Sequence, residues 1–169
     1  LQDGLAGTAG NNEIRVAAGT YYPDEGANVT TGDRSVSFTV TGDQDGLRIL
    51  GGYPAGGGSR DVAANETILS GDIGTTGDAS DNAYHVLFFD GTTGSAVTTA
   101  TVLDGVIVTG GTADGSGSNN NGGGLFCNGS GSGNACSPTL SGVIFTGNSA
   151  DRGGGALYNS GYQGESSPV

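Results

Sequence analysis

Short apolar runs recur along the whole chain and are almost never separated by more than a polar, glycine-rich stretch. They fall at Glu13–Tyr22, Ser35–Thr41, Leu47–Tyr53, Thr67–Ser70, Tyr84–Phe89, Ala100–Thr109, Gly124–Asn128, Thr139–Thr146 and Ala156–Asn159. Most are bounded by Gly, Asp, Asn or Ser, residues that tolerate turn geometry, so the runs predict strands. Several mix alternation with continuous apolar stretches, as in Val106-Ile107-Val108 and Val143-Ile144-Phe145. That mixture suits strands that meet a core at bends better than strands of a flat sandwich. Helical periodicity is nearly absent; only Leu1 to Ala9 reads as a short helix or cap, within a possible capping segment over residues 1–12.

The second half repeats itself. Leu103-Asp104-Gly105-Val106-Ile107-Val108-Thr109-Gly110 matches Leu140-Ser141-Gly142-Val143-Ile144-Phe145-Thr146-Gly147, 37 residues on. Gly122-Gly123-Gly124-Leu125-Phe126 matches Gly154-Gly155-Ala156-Leu157-Tyr158 at an offset of 32, and Ser137-Pro138 matches Ser167-Pro168 at 30. The shrinking offset assigns the length variation to two loops, 115–121 and 129–135. Constant strands joined by variable loops are the pattern of a solenoid, whose coils must stack while their corners bulge. The expected fold is therefore all-β, a right-handed parallel β-helix, with handedness taken from the bias of parallel crossovers. Coils of roughly 20–30 residues give about six or seven of them. An antiparallel sandwich is the alternative fold, but its hairpins do not call for matching segments thirty-odd residues apart. The whole of 1–169 is expected to be one β-helix domain, with 100–139 and 140–169 as recognisable repeats. Because Pro168-Val169 corresponds to Pro138-Thr139, ahead of a core strand, the chain is expected to be an excerpt of a longer array.

Composition sharpens this picture. There are 36 Gly, no Met, no Trp and only 34% hydrophobic residues, against roughly 45–50% in ordinary domains. Disorder would explain the glycine but not the recurring apolar runs. The net charge is -12, with five basic residues, all Arg. A phosphate-backbone binder is excluded on that balance, and no apolar run reaches membrane-spanning length, so no membrane insertion by this segment is expected. The sequence starts at Leu1, and any export signal is expected to have been removed.

Two cysteines, Cys127 and Cys136, flank a Gly/Ser-rich loop. They fit no common zinc spacing; a loop-closing disulfide or two unrelated thiols are the readings left. A disulfide implies an oxidising compartment. The acidic segment 72–82 offers Asp72, Asp78, Asp81 and Asn82 as oxygen ligands for Ca²⁺, the only cofactor suggested; the competing reading is a solvated loop of Asx turns. Asp90-Gly91 and Asp104-Gly105 read as turns rather than paired catalytic carboxylates, and His85 as a packed residue of its strand.

Phe145-Thr146-Gly147-Asn148, with Gly154-Gly155-Ala156-Leu157 after it, resembles the F-x-x-N and G-G-A-[ILV] repeat of chlamydial polymorphic outer-membrane proteins. The first copy departs from it, with Val108, Gly111 and Gly124 at the corresponding positions. More broadly the chain is similar to large bacterial secreted proteins with right-handed β-helix regions. That resemblance implies a surface-displayed shaft or adhesin, extracellular or on the bacterial cell surface. Asn148 is expected at a coil corner, bonding the backbone of its own and the neighbouring coil. The function expected is non-enzymatic: a structural or adhesive element that self-associates end to end into a fibre, or engages a host cell, a neighbouring cell or a glycan. The alternative is a carbohydrate-active β-helix, a polysaccharide lyase or hydrolase. Five scattered Arg and no Lys fit lyase chemistry poorly.

Overall fold

The computed structural model describes residues 1–169. After a five-residue helix α1 (Gln2–Ala6), the chain makes four passes over the same three sheets. The first pass is β1 (Glu13–Ala17), β2 (Gly19–Tyr21) and β3 (Phe38–Thr41); the second is β4 (Arg48–Tyr53), β5 (Thr67–Ser70) and β6 (Leu87–Asp90). The third runs through β7 (Val102–Asp104), β8 (Ile107–Thr109), β9 (Thr112–Ala113), β10 (Leu125–Asn128) and β11 (Ala135–Cys136). The fourth repeats it as β12 (Thr139–Ser141), β13 (Ile144–Thr146), β14 (Ser149–Ala150), β15 (Leu157–Ser160) and β16 (Glu165–Ser166).

Sheet A is ordered β1-β4-β7-β12, sheet B β2-β5-β8-β13 and sheet C β3-β6-β10-β15. The pairs β9-β14 and β11-β16 add two short sheets in the last two passes. Every pairing is parallel. The protein is thus all-β, built from several parallel sheets.

Register sets which side chains share a column. Ile14, Ile49, Leu103 and Leu140 align in sheet A. Leu69, Val108 and Phe145 align in sheet B, and Phe38, Leu87, Leu125 and Leu157 in sheet C. These columns face one another in a narrow core whose members in the second and third passes are fully buried. Leu5 of α1 packs onto the same core at the first pass. At the fourth pass Leu140, Val143, Phe145 and Leu157 are only partly covered.

Two expectations are corrected. The number of passes is four, not six or seven, because loops such as 54–66, 71–86 and 91–101 lengthen each circuit beyond 20–30 residues. The long runs Ala100–Thr109 and Thr139–Thr146 are each two strands, one in sheet A and one in sheet B. The bend between them is made by Gly105 (φ +70°) and Gly142 (φ +55°), a left-handed conformation that L side chains rarely adopt. The run Glu13–Tyr22 likewise divides into β1 and β2 at Ala18.

Candidate functional site

The Cys127–Cys136 disulfide forms, with a Cα–Cα distance of 5.7 Å. Cys127 lies in the inward column of sheet C, beside Phe89 of the pass before, and Cys136 lies in β11. Both are fully buried, so the bridge fastens a glycine-rich loop to the core. Replacing both cysteines by alanine is expected to lower the unfolding free energy by about 2–3 kcal/mol, the loop-closure estimate for a loop this short. Urea denaturation of the double variant measures it.

In the acidic segment the carboxylates serve the loop's own backbone. Asp72 Oδ1 accepts from the Gly77 amide (2.8 Å) and Asp81 Oδ2 from the Thr75 amide (2.7 Å). Asp78 Oδ1 accepts from both the amide and the hydroxyl of Ser80, and the hydroxyl bond above all holds that carboxyl below its usual value. Asn82 turns inward, donating to Thr112 Oγ1 at 3.3 Å. No three acidic, histidine or cysteine side chains converge here or elsewhere in the chain. Two acceptors, Asp81 Oδ1 and Asn82 Oδ1, are buried without a partner.

The other candidate carboxylates are engaged as well. Asp90 accepts from the Thr92 amide and the Thr92 and Thr93 hydroxyls. Asp104 pairs with Arg60 at 2.9 Å. His85 lies just before β6, 6% exposed, with Nδ1 3.0 Å from the Gly122 carbonyl oxygen. Burial pushes the imidazole below its ordinary value, outweighing the Gly122 carbonyl and the Asn119 side chain, which favour the charged form. A depressed folded pKa means that the unfolded chain binds more protons as pH falls through about 6.5. Stability is therefore expected to drop from pH 7 downward until the folded pKa is passed. Comparing urea midpoints of the wild type and His85→Phe at several pH values isolates this contribution; an identical pH dependence in both would refute it.

The repeat residues lie where two passes meet. Asn148 Oδ1 accepts from the Gly111 amide (3.0 Å), and its Nδ2 donates to the Val108 carbonyl (2.8 Å), both in the preceding pass. Phe145 stands in the column below Val108, and Leu157 below Leu125. The Gly155 and Ala156 carbonyls accept from the Gly124 and Leu125 amides, and Gly154 makes the left-handed turn that precedes them (φ +64°). A Cβ at Gly124 would strike the Ala156 carbonyl and come within 2.8 Å of Phe145, which explains why the inner copy has glycine where the outer has exposed alanine.

Two residues that tie passes together carry no signal in the sequence. Arg34 stacks over Tyr84 at 4.4 Å, donates to the Asn82 and Thr112 carbonyls and pairs with Asp114, so it spans three passes. Asp45 is partly buried, which alone would raise its pKa. Bonds from the Thr98 amide and the Thr101 and Thr98 hydroxyls outweigh that and hold it low. Their partners lie 48 to 80 residues away for Arg34 and 53 to 56 away for Asp45, so only the folded register reveals them.

Compared with models of protein families, with curated proteins and with solved structures, the chain matches none.

Proposed function

We propose that this chain is a right-handed parallel β-helix acting outside the cell as a non-enzymatic structural or adhesive element. The observation that carries the reading is the order of the strands. Sheets A, B and C are visited in the same sequence four times, always in parallel register. Coils stacked in this way make a stiff rod, each resting only on its neighbours. The chemistry-bearing side chains support a structural role: Asp90, Asp104 and His85 all bond the protein itself. An extracellular setting is supported by the buried disulfide. Display on a bacterial surface rests on the resemblance of Phe145–Leu157 to the chlamydial repeat.

End-to-end association is the second part of the proposal. Strands β13 and β15 each lie at the edge of their sheet with one side unpaired, over a partly covered core, while Val169 bonds Pro138 and Leu140 along the outer side of β12. Such edges template further pairing. The opposite end differs, because α1 covers part of the first pass there. Sedimentation velocity and negative-stain microscopy over rising concentration test this, with short linear oligomers expected. A monomer throughout would remove the fibre while leaving a single displayed rod.

Calcium is proposed as a ligand of the 72–82 loop, supported by the unpartnered Asp81 Oδ1 and Asn82 Oδ1. The expected result is a higher melting temperature in millimolar Ca²⁺ than in chelator; equal melts would end the idea.

A further inference from the structure

The outer face of sheet C carries a column of a different kind. Thr39, Phe88, Phe126 and Tyr158 align across its four strands. The rings contact one another in tilted pairs, with centroids 5.7 Å apart for Phe88–Phe126 and 5.5 Å for Phe126–Tyr158, and His85 lies 5.2 Å from Phe126. Phe126 is buried by its neighbours, whereas Phe88 is partly open. Phe88 is therefore a ring fixed in place on a rigid sheet, with one end exposed.

That opening faces one of two neighbouring cavities, which together form the candidate cleft. One section, about 510 Å³, lies between α1, the segment around Asn28 and the start of β3. The other, about 120 Å³, is bounded by Thr39, His85, Phe88 and Asn119. The two share Ser35, Ser37 and Thr39. Not one residue lining either section is Asp, Glu, Arg or Lys, in a chain with 17 acidic residues. Burial pushes the His85 imidazole toward its neutral form. The polar groups are instead hydroxyls and amides with capacity to spare. Gln2 spends its NH₂ on the Pro23 and Ser37 carbonyls, which leaves its Oε1 as an acceptor, and the Ser35 hydroxyl donates to Asp33 but retains its lone pairs. Leu5, Val29 and Val36 supply apolar wall between them.

We infer that this cleft binds a neutral oligosaccharide. A pyranose has an apolar C–H face for an aromatic ring and a rim of hydroxyls that both donate and accept, which is the complement of this lining. The smaller section, about 120 Å³, is below the roughly 150 Å³ cavity known to hold one benzene ring, and so takes only the apolar edge of one sugar ring against Phe88, with the hydroxyl rim left outside. The larger lies within the usual range for ligand sites, about 300–1,000 Å³, and takes the next two or three. Uronates are disfavoured, since a carboxylate there finds no cation and meets the field of a -12 protein. With no carboxylate in the cleft to act as acid, base or nucleophile, the sugar is held and not cleaved.

The inference rests on the adhesive side of the proposed function, and its test is separate from the shape measurements. The whole chain is titrated by calorimetry with cellohexaose, mannohexaose, xylohexaose and maltohexaose, and with a galacturonate hexamer. At least one neutral hexaose is expected to bind with Kd below about 1 mM, with the uronate at least tenfold weaker and the sugar recovered intact. Phe88→Ala and Ser118→Glu are each expected to weaken binding at least tenfold. Ser118 is exposed on the cleft rim, so its variant reports on binding even if Phe88→Ala folds poorly. Absence of binding to all four neutral sugars at about 5 mM, or binding unchanged by Ser118→Glu, overturns the inference. A rod seen by scattering without sugar binding would leave the structural reading intact.

Discussion

Gly91→Ala is expected to destabilise the protein by about 3 kcal/mol, the upper end of the usual cost of forcing atoms into a packed site. Gly91 is the first residue beyond β6, and its amide donates to the Asn128 carbonyl of the next pass at 2.8 Å. A Cβ built there would fall inside the Ala135 carbonyl. The same geometry recurs one pass earlier at Gly42, against Ser95, and one pass later at Gly129, against Glu165. Each is the residue that leaves a strand of sheet C, so the stack turns this corner with backbone against backbone and no room for a methyl group. The obstruction is main chain on both sides, and relief requires the coils to separate locally. Gly7→Ala is the control: its nearest neighbour would be 3.6 Å from the new Cβ and its φ is -98°, so a change within about 0.5 kcal/mol is expected. Urea denaturation of both variants decides it. If Gly91→Ala matches Gly7→Ala, the tight corner is wrong.

These corner glycines also show what the sequence made legible. Leu103–Gly110 and Leu140–Gly147 share their pattern because both round the same bend between sheets A and B, with glycine in the left-handed conformation at each. A repeat of this kind is visible because successive passes over the same parallel sheets face identical steric demands. The first two passes face the same demands at Gly42 and Gly91, yet no repeat links them, because loops of different length separate their strands. The same loops caused the overcount of passes. Strand limits went astray for a related reason: apolar residues continue around the bends at Val106 and Val143, so hydropathy alone does not mark where one sheet ends. The sugar cleft was the least legible feature. Its lining comes from six separated stretches, near Gln2, Asn28, Ser37, Gln44, Phe88 and Asn119, and its distinguishing property is a lack of charge in a place only the fold defines.

Phe89→Ala is expected to cost about 3–5 kcal/mol, the range for removing a buried aromatic ring and leaving a cavity. Phe89 is fully buried in β6, in register with Val40 on one side and Cys127 on the other. A core this narrow has few side chains per pass, and the neighbouring rungs are held in parallel register by their hydrogen bonds, so they cannot close over the void. The disulfide at Cys127 restrains the site further. Domains of this size are stable by only about 5–15 kcal/mol, so the loss takes a large share of the total. The adjacent Phe88→Ala provides the comparison, because strand alternation turns that ring outward. It gives up contact with Phe126 and part of its cover, and about 1–1.5 kcal/mol is expected for the aromatic pair. Measured side by side in urea, the two substitutions test the central geometric claim, that alternate residues of sheet C face a dry column and a solvent-facing aromatic ladder. Equal costs would contradict the register on which both the proposed rod and the proposed cleft depend.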